Sequence, residues 1–145
     1  MLRDAEKTIG NLADKQKTAF ISSVDPEGYP ALRAMLAPRR RVGIHTFYFT
    51  TNASSRHVAQ YLANPKAGVY FCDRRFFRGV QLYGTMEVLT DPESKESIWQ
   101  AGDTLYYPGG VTDPDYCVLR FTAERGRYYS NFKSEDFEIG RARRP

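Results

Sequence analysis

Histidine and cysteine are scarce in this chain, with two of each: His45, His57, Cys72 and Cys117. Neither histidine has a cysteine or a second histidine at metal-ligand spacing, so no zinc site is expected. Both cysteines stand in apolar, strand-like segments and read as small core residues rather than as a disulfide or a metal pair. No Gly-x-Ser-x-Gly elbow and no Walker loop occurs, which removes the signatures of the α/β hydrolases and P-loop nucleoside triphosphatases. No nucleophile–base pair stands out, so no catalytic residue is assigned. Long apolar runs are also missing. Nothing approaches a membrane span, and the opening Met-Leu-Arg-Asp-Ala-Glu-Lys lacks the apolar stretch of a signal peptide, so a cytoplasmic protein is expected.

What is present is aromatic and basic. The 145 residues suit one domain, burying roughly 70% of the unfolded surface, and a hydrophobic content of 41% marks a globular chain. Ten Tyr and nine Phe favour strands and flat, ligand-facing surfaces. The net charge is only +4, but arginines cluster at Arg39-Arg40-Arg41 and at Arg141, Arg143 and Arg144. Such runs are usually solvated, and no recognition helix or RNA-binding aromatic signature accompanies them, so nucleic acid is not the expected partner.

Read in order, the spacing of Leu2, Ala5, Ile9 and Leu12 predicts an amphipathic helix over 3–17, weakened by Gly10. Strands follow at 18–24 and 29–36, a hairpin turned by Asp25-Pro26-Glu27-Gly28. A loop holds Pro38 and the three arginines, and a strand runs over 44–51. A helix from Ser55 stops at Asn64-Pro65. Strands at 66–72 and 78–90 come next, the second interrupted by Gly84, which marks a bend or a close backbone approach. Asp91-Pro92 opens a helix carrying Ile98 and Trp99 and ending near Gly102. After a Tyr-Pro-Gly-Gly loop, a strand at 116–122 turns at Glu124-Arg125-Gly126 into a last strand at 127–132. The expected fold is mainly β: one domain over 1–137, an antiparallel barrel of six or seven strands with peripheral helices, then a basic tail, 138–145, without order.

The stretch Phe47 to His57 carries the clearest chemistry. An aromatic strand ends in Thr50-Thr51-Asn52-Ala53-Ser54-Ser55, and Arg56 and His57 open a helix. A helix N-terminus offers unpaired N–H groups and partial positive charge, so with Thr51, Ser55, Arg56 and His57 around it this reads as a phosphate seat. A capped strand-to-helix turn with two solvated bases would look the same. Arg33 lies between Ala31 and Met35 on an otherwise apolar strand. A buried guanidinium there needs either a phosphate or a structural carboxylate as partner.

These residues together resemble the pyridoxamine 5′-phosphate oxidase-like split-barrel flavoproteins, in their short general-stress-protein branch. The carriers are the hairpin Ile21 to Met35 with its Asp-x-x-Gly-x-Pro and Arg33, the run Phe49-Thr50-Thr51-Asn52-x-x-Ser55-Arg56, the Gly84 strand, and Tyr107-Pro108-Gly109-Gly110 before Asp113-Pro114-Asp115. The resemblance implies a homodimer of six-stranded split barrels with FMN in clefts at the subunit interface. It implies that Arg33, Ser55, Arg56 and His57 surround the FMN phosphate. The backbone of Ala34, Met35 and Leu36 would lie along the isoalloxazine, with Thr50 and Thr51 in contact. His57 replaces the family's usual lysine and implies phosphate binding that titrates near pH 6.5. The oxidase's glutamine falls at Gly79, where Gln81 on the same face is the substitute, and Tyr129 takes the place of a tryptophan. The oxidase's substrate lysine falls at Pro38, and its Arg-x-His at Glu135 and Phe137. The expected function is therefore an FMN-dependent oxidoreductase acting on an unknown small substrate, and the departures at Gly79, Pro38, Tyr129, Glu135 and Phe137 weigh against vitamin B6 oxidation. The alternatives are a non-catalytic flavin-binding stress protein, or a split barrel holding deazaflavin or haem.

Overall fold

A computed structural model describes residues 2–140 of the chain. Helix α1 (Ala5–Asp14) is shorter than the apolar spacing predicts, starting where the Asp4 carboxylate accepts from the Lys7 N–H at 3.1 Å. Gly10 is buried in it because the Arg41 guanidinium lies against its α-carbon. Strands β1 (Thr18–Val24) and β2 (Pro30–Leu36) form the expected hairpin, with Gly28 at φ 87° in its turn. The arginine run is not a loop. It contains a short strand, β3 (Arg40–Val42), paired with β4 (Thr46–Asn52). Its side chains are not simply solvated either: Arg39 clasps Asp103 bidentately at 2.9 and 2.7 Å, and Arg41 clasps Asp14 at 2.7 and 2.8 Å.

Helix α2 (Arg56–Ala63) leads to the β5 (Lys66–Asp73) and β6 (Arg78–Leu89) hairpin. Helix α3 (Pro92–Ser97) stops before Trp99, earlier than expected. Trp99 instead packs at a tilt against Tyr107 and edge-on against Tyr116, with ring centroids 6.2 and 5.1 Å away, beside a small second core of Ile98, Tyr107, Tyr116 and Val118. Tertiary packing overrides helix propensity there. Strand β7 (Tyr116–Ser130) runs straight through the predicted turn at 124–126. Gly126 is a strand residue, kept bare because the Phe137 ring occupies the space of a side chain. The real reversal comes at Asn131 and Phe132, both left-handed at φ 52° and 65°, and returns as β8 (Lys133–Glu138). The tail therefore does not lose order at Glu138: that residue pairs with Arg125, and Ile139 is buried in the core. Residues 141–145 lie outside the described residues.

The eight strands form one antiparallel sheet in the order β2-β1-β5-β6-β7-β4-β3, with β8 added on β7. Two of the eight, β3 and β8, have no counterpart among the strands expected from the sequence, and the two strands expected at 116–122 and 127–132 are one, β7. Among the described residues β2 pairs only with β1, and β3 only with β4, so the sheet curls into a barrel that stays split. The bend is at Gly84, where the register of β6 against β7 shifts and the Thr122 carbonyl fills the place of a β-carbon. Inward rows of Ile21, Phe47, Phe49, Val69, Phe71, Leu82, Leu119 and Phe121 make the core, with α1 and α2 packed onto it. Each such buried side chain contributes roughly 1.5–3 kcal/mol.

Candidate functional site

The strand-to-helix junction is held from below by Asp115. Its carboxylate accepts from Asn52 Nδ2 and from the Ser54 N–H, both at 2.8 Å, which also holds it below the usual carboxylate range. Its backbone carbonyl accepts from the Ala53 N–H at 2.7 Å. The Asp-Pro-Asp motif was visible in the sequence, but this role was not, because it joins positions 63 residues apart. Ser55 takes the N-cap position of α2 with extended backbone, yet its side chain does not cap. Its hydroxyl donates back to the Asn52 carbonyl at 2.7 Å, so the first-turn N–H groups of α2 have no side-chain acceptor.

His57 is 5% exposed and both ring nitrogens are engaged within the protein. Arg33 Nη1 lies 3.0 Å from Nδ1, and a guanidinium can only donate, so Nδ1 is the acceptor. The ring proton is then on Nε2, donated to Thr51 Oγ1 at 2.7 Å with Ser55 Oγ at 3.2 Å. Burial, with the neighbouring Arg33 cation, pushes the imidazole pKa down to about 4. This corrects the expectation of a phosphate donor titrating near pH 6.5. His57 is a neutral prop that orients Arg33.

Arg33 itself is exposed rather than buried, because β2 is an edge strand with one free side. Among the described residues no carboxylate pairs with Arg33 or with Arg56, so the structural ion pair that sequence reasoning allowed for Arg33 is not formed. Both line a cleft of about 470 Å³ with Ile21, Ser23, His57 and Gln60. Asp25 also borders it, but its Oδ1 is taken by the N–H groups of Glu27 and Tyr29 at 2.9 and 2.8 Å. Ser23 donates to Gln60, a pair the sequence did not single out. The result is a cleft with two unpaired cations and the open end of a helix, an arrangement suited to a phosphate.

The other predicted residues separate into two groups. Thr51 is buried against His57, while the adjacent Thr50 points to the opposite face and meets the Tyr107 hydroxyl. Met35 packs on the core, and Ala34 and Leu36 face outward. Gln81 and Tyr129 lie on that outer face but far from β2. Ala34 stands opposite Phe20, Phe20 opposite Tyr70, and Tyr70 opposite Gln81. At about 4.8 Å per strand, Gln81 is about 14 Å from Ala34 across the sheet, and Tyr129, one strand further, about 19 Å. One chain therefore brings Arg33, Thr51, Ser55, Arg56 and His57 together and leaves Gln81 and Tyr129 apart. The positions of the oxidase's Arg-x-His are structural here: Glu135 accepts from the Leu2 N–H at 2.8 Å, and Phe137 covers Gly126. Neither cysteine is bonded to the other; Cys117 is buried, with its thiol pushed up to about 11, while Cys72 is only half-buried.

Comparison with known proteins bears on the fold and the family. A crystal structure of a protein related to general stress protein 26 of B. subtilis (pyridoxinephosphate oxidase family), from Clostridium acetobutylicum, superimposes with a TM-score of 0.85. The two are 38% identical, over 93% of this chain and 94% of that one. A heme binding protein from Mycobacterium smegmatis shares the fold at a TM-score of 0.75 and 14% identity, over 93% of this chain and 58% of that one. A pyridoxine/pyridoxamine 5′-phosphate oxidase of Sinorhizobium fredii is 33% identical over 95 residues, 66% of this chain but 44% of that protein. The chain thus matches under half the length of that relative. The family model for pyridoxamine 5′-phosphate oxidase matches residues 5–130, from α1 to the end of β7, and on that span the chain belongs to the pyridoxamine 5′-phosphate oxidase family.

Proposed function

We propose that this protein binds FMN and carries out flavin oxidoreductase chemistry on a small molecule, as a homodimer. The observation that carries the reading is the unpaired Arg33, propped by neutral His57 and facing the uncapped start of α2 together with Arg56. Those groups would hold the phosphate. The ring would lie along the open edge of β2 at Ala34, Met35 and Leu36, where Leu36 is 59% exposed. FMN supplies the electron transfer; the chain's residues bind it, orient it and keep water from its faces. Gln81 and Tyr129 stand too far across the sheet to meet a flavin on their own β2. A second copy placing its outer face against the first would supply them, and the exposed Phe20, Leu32, Leu36 and Tyr70 on that face support such an interface.

His57 also weighs against haem in this cleft, since both its nitrogens are committed and it has none to offer iron. Purified protein should carry a yellow chromophore absorbing near about 450 nm, released as FMN, and should elute as a dimer. A clean 16.6 kDa monomer with no affinity for FMN would overturn the reading. Reduction of the bound flavin by a nicotinamide cofactor, followed by reoxidation with a candidate acceptor, separates an enzyme from a non-catalytic flavin-binding protein.

A further inference from the structure

A second hollow, of about 600 Å³, adjoins the Arg33 cleft and shares Asp25, Arg56 and Gln60 with it. Phe20, Leu32, Leu36 and Tyr70, which would face a second copy, do not line it. One wall is Arg56, Ala59, Gln60 and Ala63, spaced so that they share a face of α2. Another is Val24, Asp25 and Pro26, where β1 runs into its turn, and Asn64 stands at the far end of the helix. The small side chains of Ala59 and Ala63 leave room between the two walls.

The polar groups of this groove are already sorted into donors and acceptors. Gln60 Oε1 accepts from the Ser23 hydroxyl, and Asn64 Oδ1 accepts from the Lys66 N–H at 3.1 Å. Each amide keeps its NH2 group, which can only donate. Asp25 is the reverse. Its Oδ1 holds two backbone N–H groups, while Oδ2 has no partner among the described residues and can only accept. Donors for ring nitrogens, an acceptor for a sugar hydroxyl and apolar contacts from Val24, Pro26, Ala59 and Ala63 match a nucleoside. The volume lies within the roughly 300–1,000 Å³ of small-molecule pockets. Arg56, without a carboxylate partner among the described residues, lines both hollows, so the nucleoside would arrive joined through phosphate.

We propose that the flavin seat continues into this groove and takes FAD, with the second phosphate beside Arg56 and the adenosine between α2 and the β1–β2 turn. The inference rests on the flavin reading and extends it from the mononucleotide to the dinucleotide. As a diester the first phosphate carries less charge than that of FMN, which weakens its attraction to Arg33; the groove contacts offset that loss.

The test is equilibrium dialysis of the full-length protein against equal concentrations of FMN and FAD, with the bound flavins then separated and measured. FAD should be taken up at least as well as FMN. Ala63→Trp, at an exposed helix position, fills the groove; Asn64→Asp keeps the acceptor for the Lys66 N–H but removes the donor. Each should shift the bound ratio about tenfold or more toward FMN and leave FMN affinity unchanged. Uptake of FMN with FAD excluded about tenfold or more, or a ratio that neither variant moves, would overturn the groove and leave the flavin seat standing. Uptake of neither flavin would overturn the flavin reading and this inference with it.

Discussion

His57 makes a pH-dependence test with a calculable size. Its pKa lies at about 4 in the folded protein against 6.5 for a free imidazole, first because the ring is buried and second because Arg33 stands beside it. At 1.36 kcal/mol per unit, the neutral ring accounts for roughly 3 kcal/mol of pH-dependent stability. The sign follows from proton counting. Above pH 6.5 the ring is neutral folded and unfolded. Between 6.5 and 4 the unfolded chain takes up a proton that the native state refuses, so stability is lost as pH falls through that window. Below 4 the native ring protonates too, and the loss levels off.

The assay is urea unfolding from pH 7.5 to 4 on the wild type and on His57→Gln, whose amide oxygen can still accept from Arg33 but cannot titrate. Carboxylates held below their usual range, Asp14, Asp103 and Asp115, lose their contributions at lower pH and are common to both proteins, so they cancel in the difference. The wild type should lose about 3 kcal/mol relative to the variant across the window. A difference that stays constant with pH would falsify the neutral, Nε2-protonated ring. Nitrogen NMR showing the proton on Nδ1 would do the same, because Arg33 could not then donate to it.

Three further outcomes are expected. Arg33→Ala should weaken FMN binding by about 1.5–3 kcal/mol while leaving riboflavin affinity unchanged; equal losses would mean that the arginine does not read a phosphate. Gly84→Ala should cost at least about 2–3 kcal/mol in denaturant unfolding, since the Thr122 carbonyl already occupies the space of the new carbon, and a wild-type midpoint would refute the close approach. Asp103→Asn should cost about 3–5 kcal/mol by leaving Arg39, whose side chain is 12% exposed, without its counter-charge, and an unchanged melting temperature would show the clasp to be dispensable.

The elements that were legible are those whose signals are local. Asp25-Pro26-Glu27-Gly28 punctuates β1 and β2, and Asn64-Pro65 stops α2. The failures share a cause. Gly126 looks like a turn in sequence, yet it is bare because of Phe137, which reaches it only after the chain has reversed at Asn131 and Phe132. The arginine run looks solvated, yet Arg39 and Arg41 find carboxylates 64 and 27 residues away. Trp99 continues a helical pattern that packing on Tyr116 interrupts.

The same limit explains His57. Its position at a helix start was readable, and so was Arg33 on a strand; what was not readable is that the edge of β2 sets the guanidinium 3.0 Å from the imidazole. Counted separately, Arg33, Arg56 and His57 are three cations for a phosphate. Paired as they are, a third positive charge beside Arg33 is suppressed by the ring's own burial, and two remain. Without ligand the proposed phosphate seat therefore keeps its charge at +2 from pH 8 down to pH 5.5, above the histidine's pKa of about 4. Flavin affinity measured over that range should be flat where the FMN phosphate itself does not titrate, and an affinity that rises as pH falls through 6.5 would put the proton back on His57 and undo the pairing.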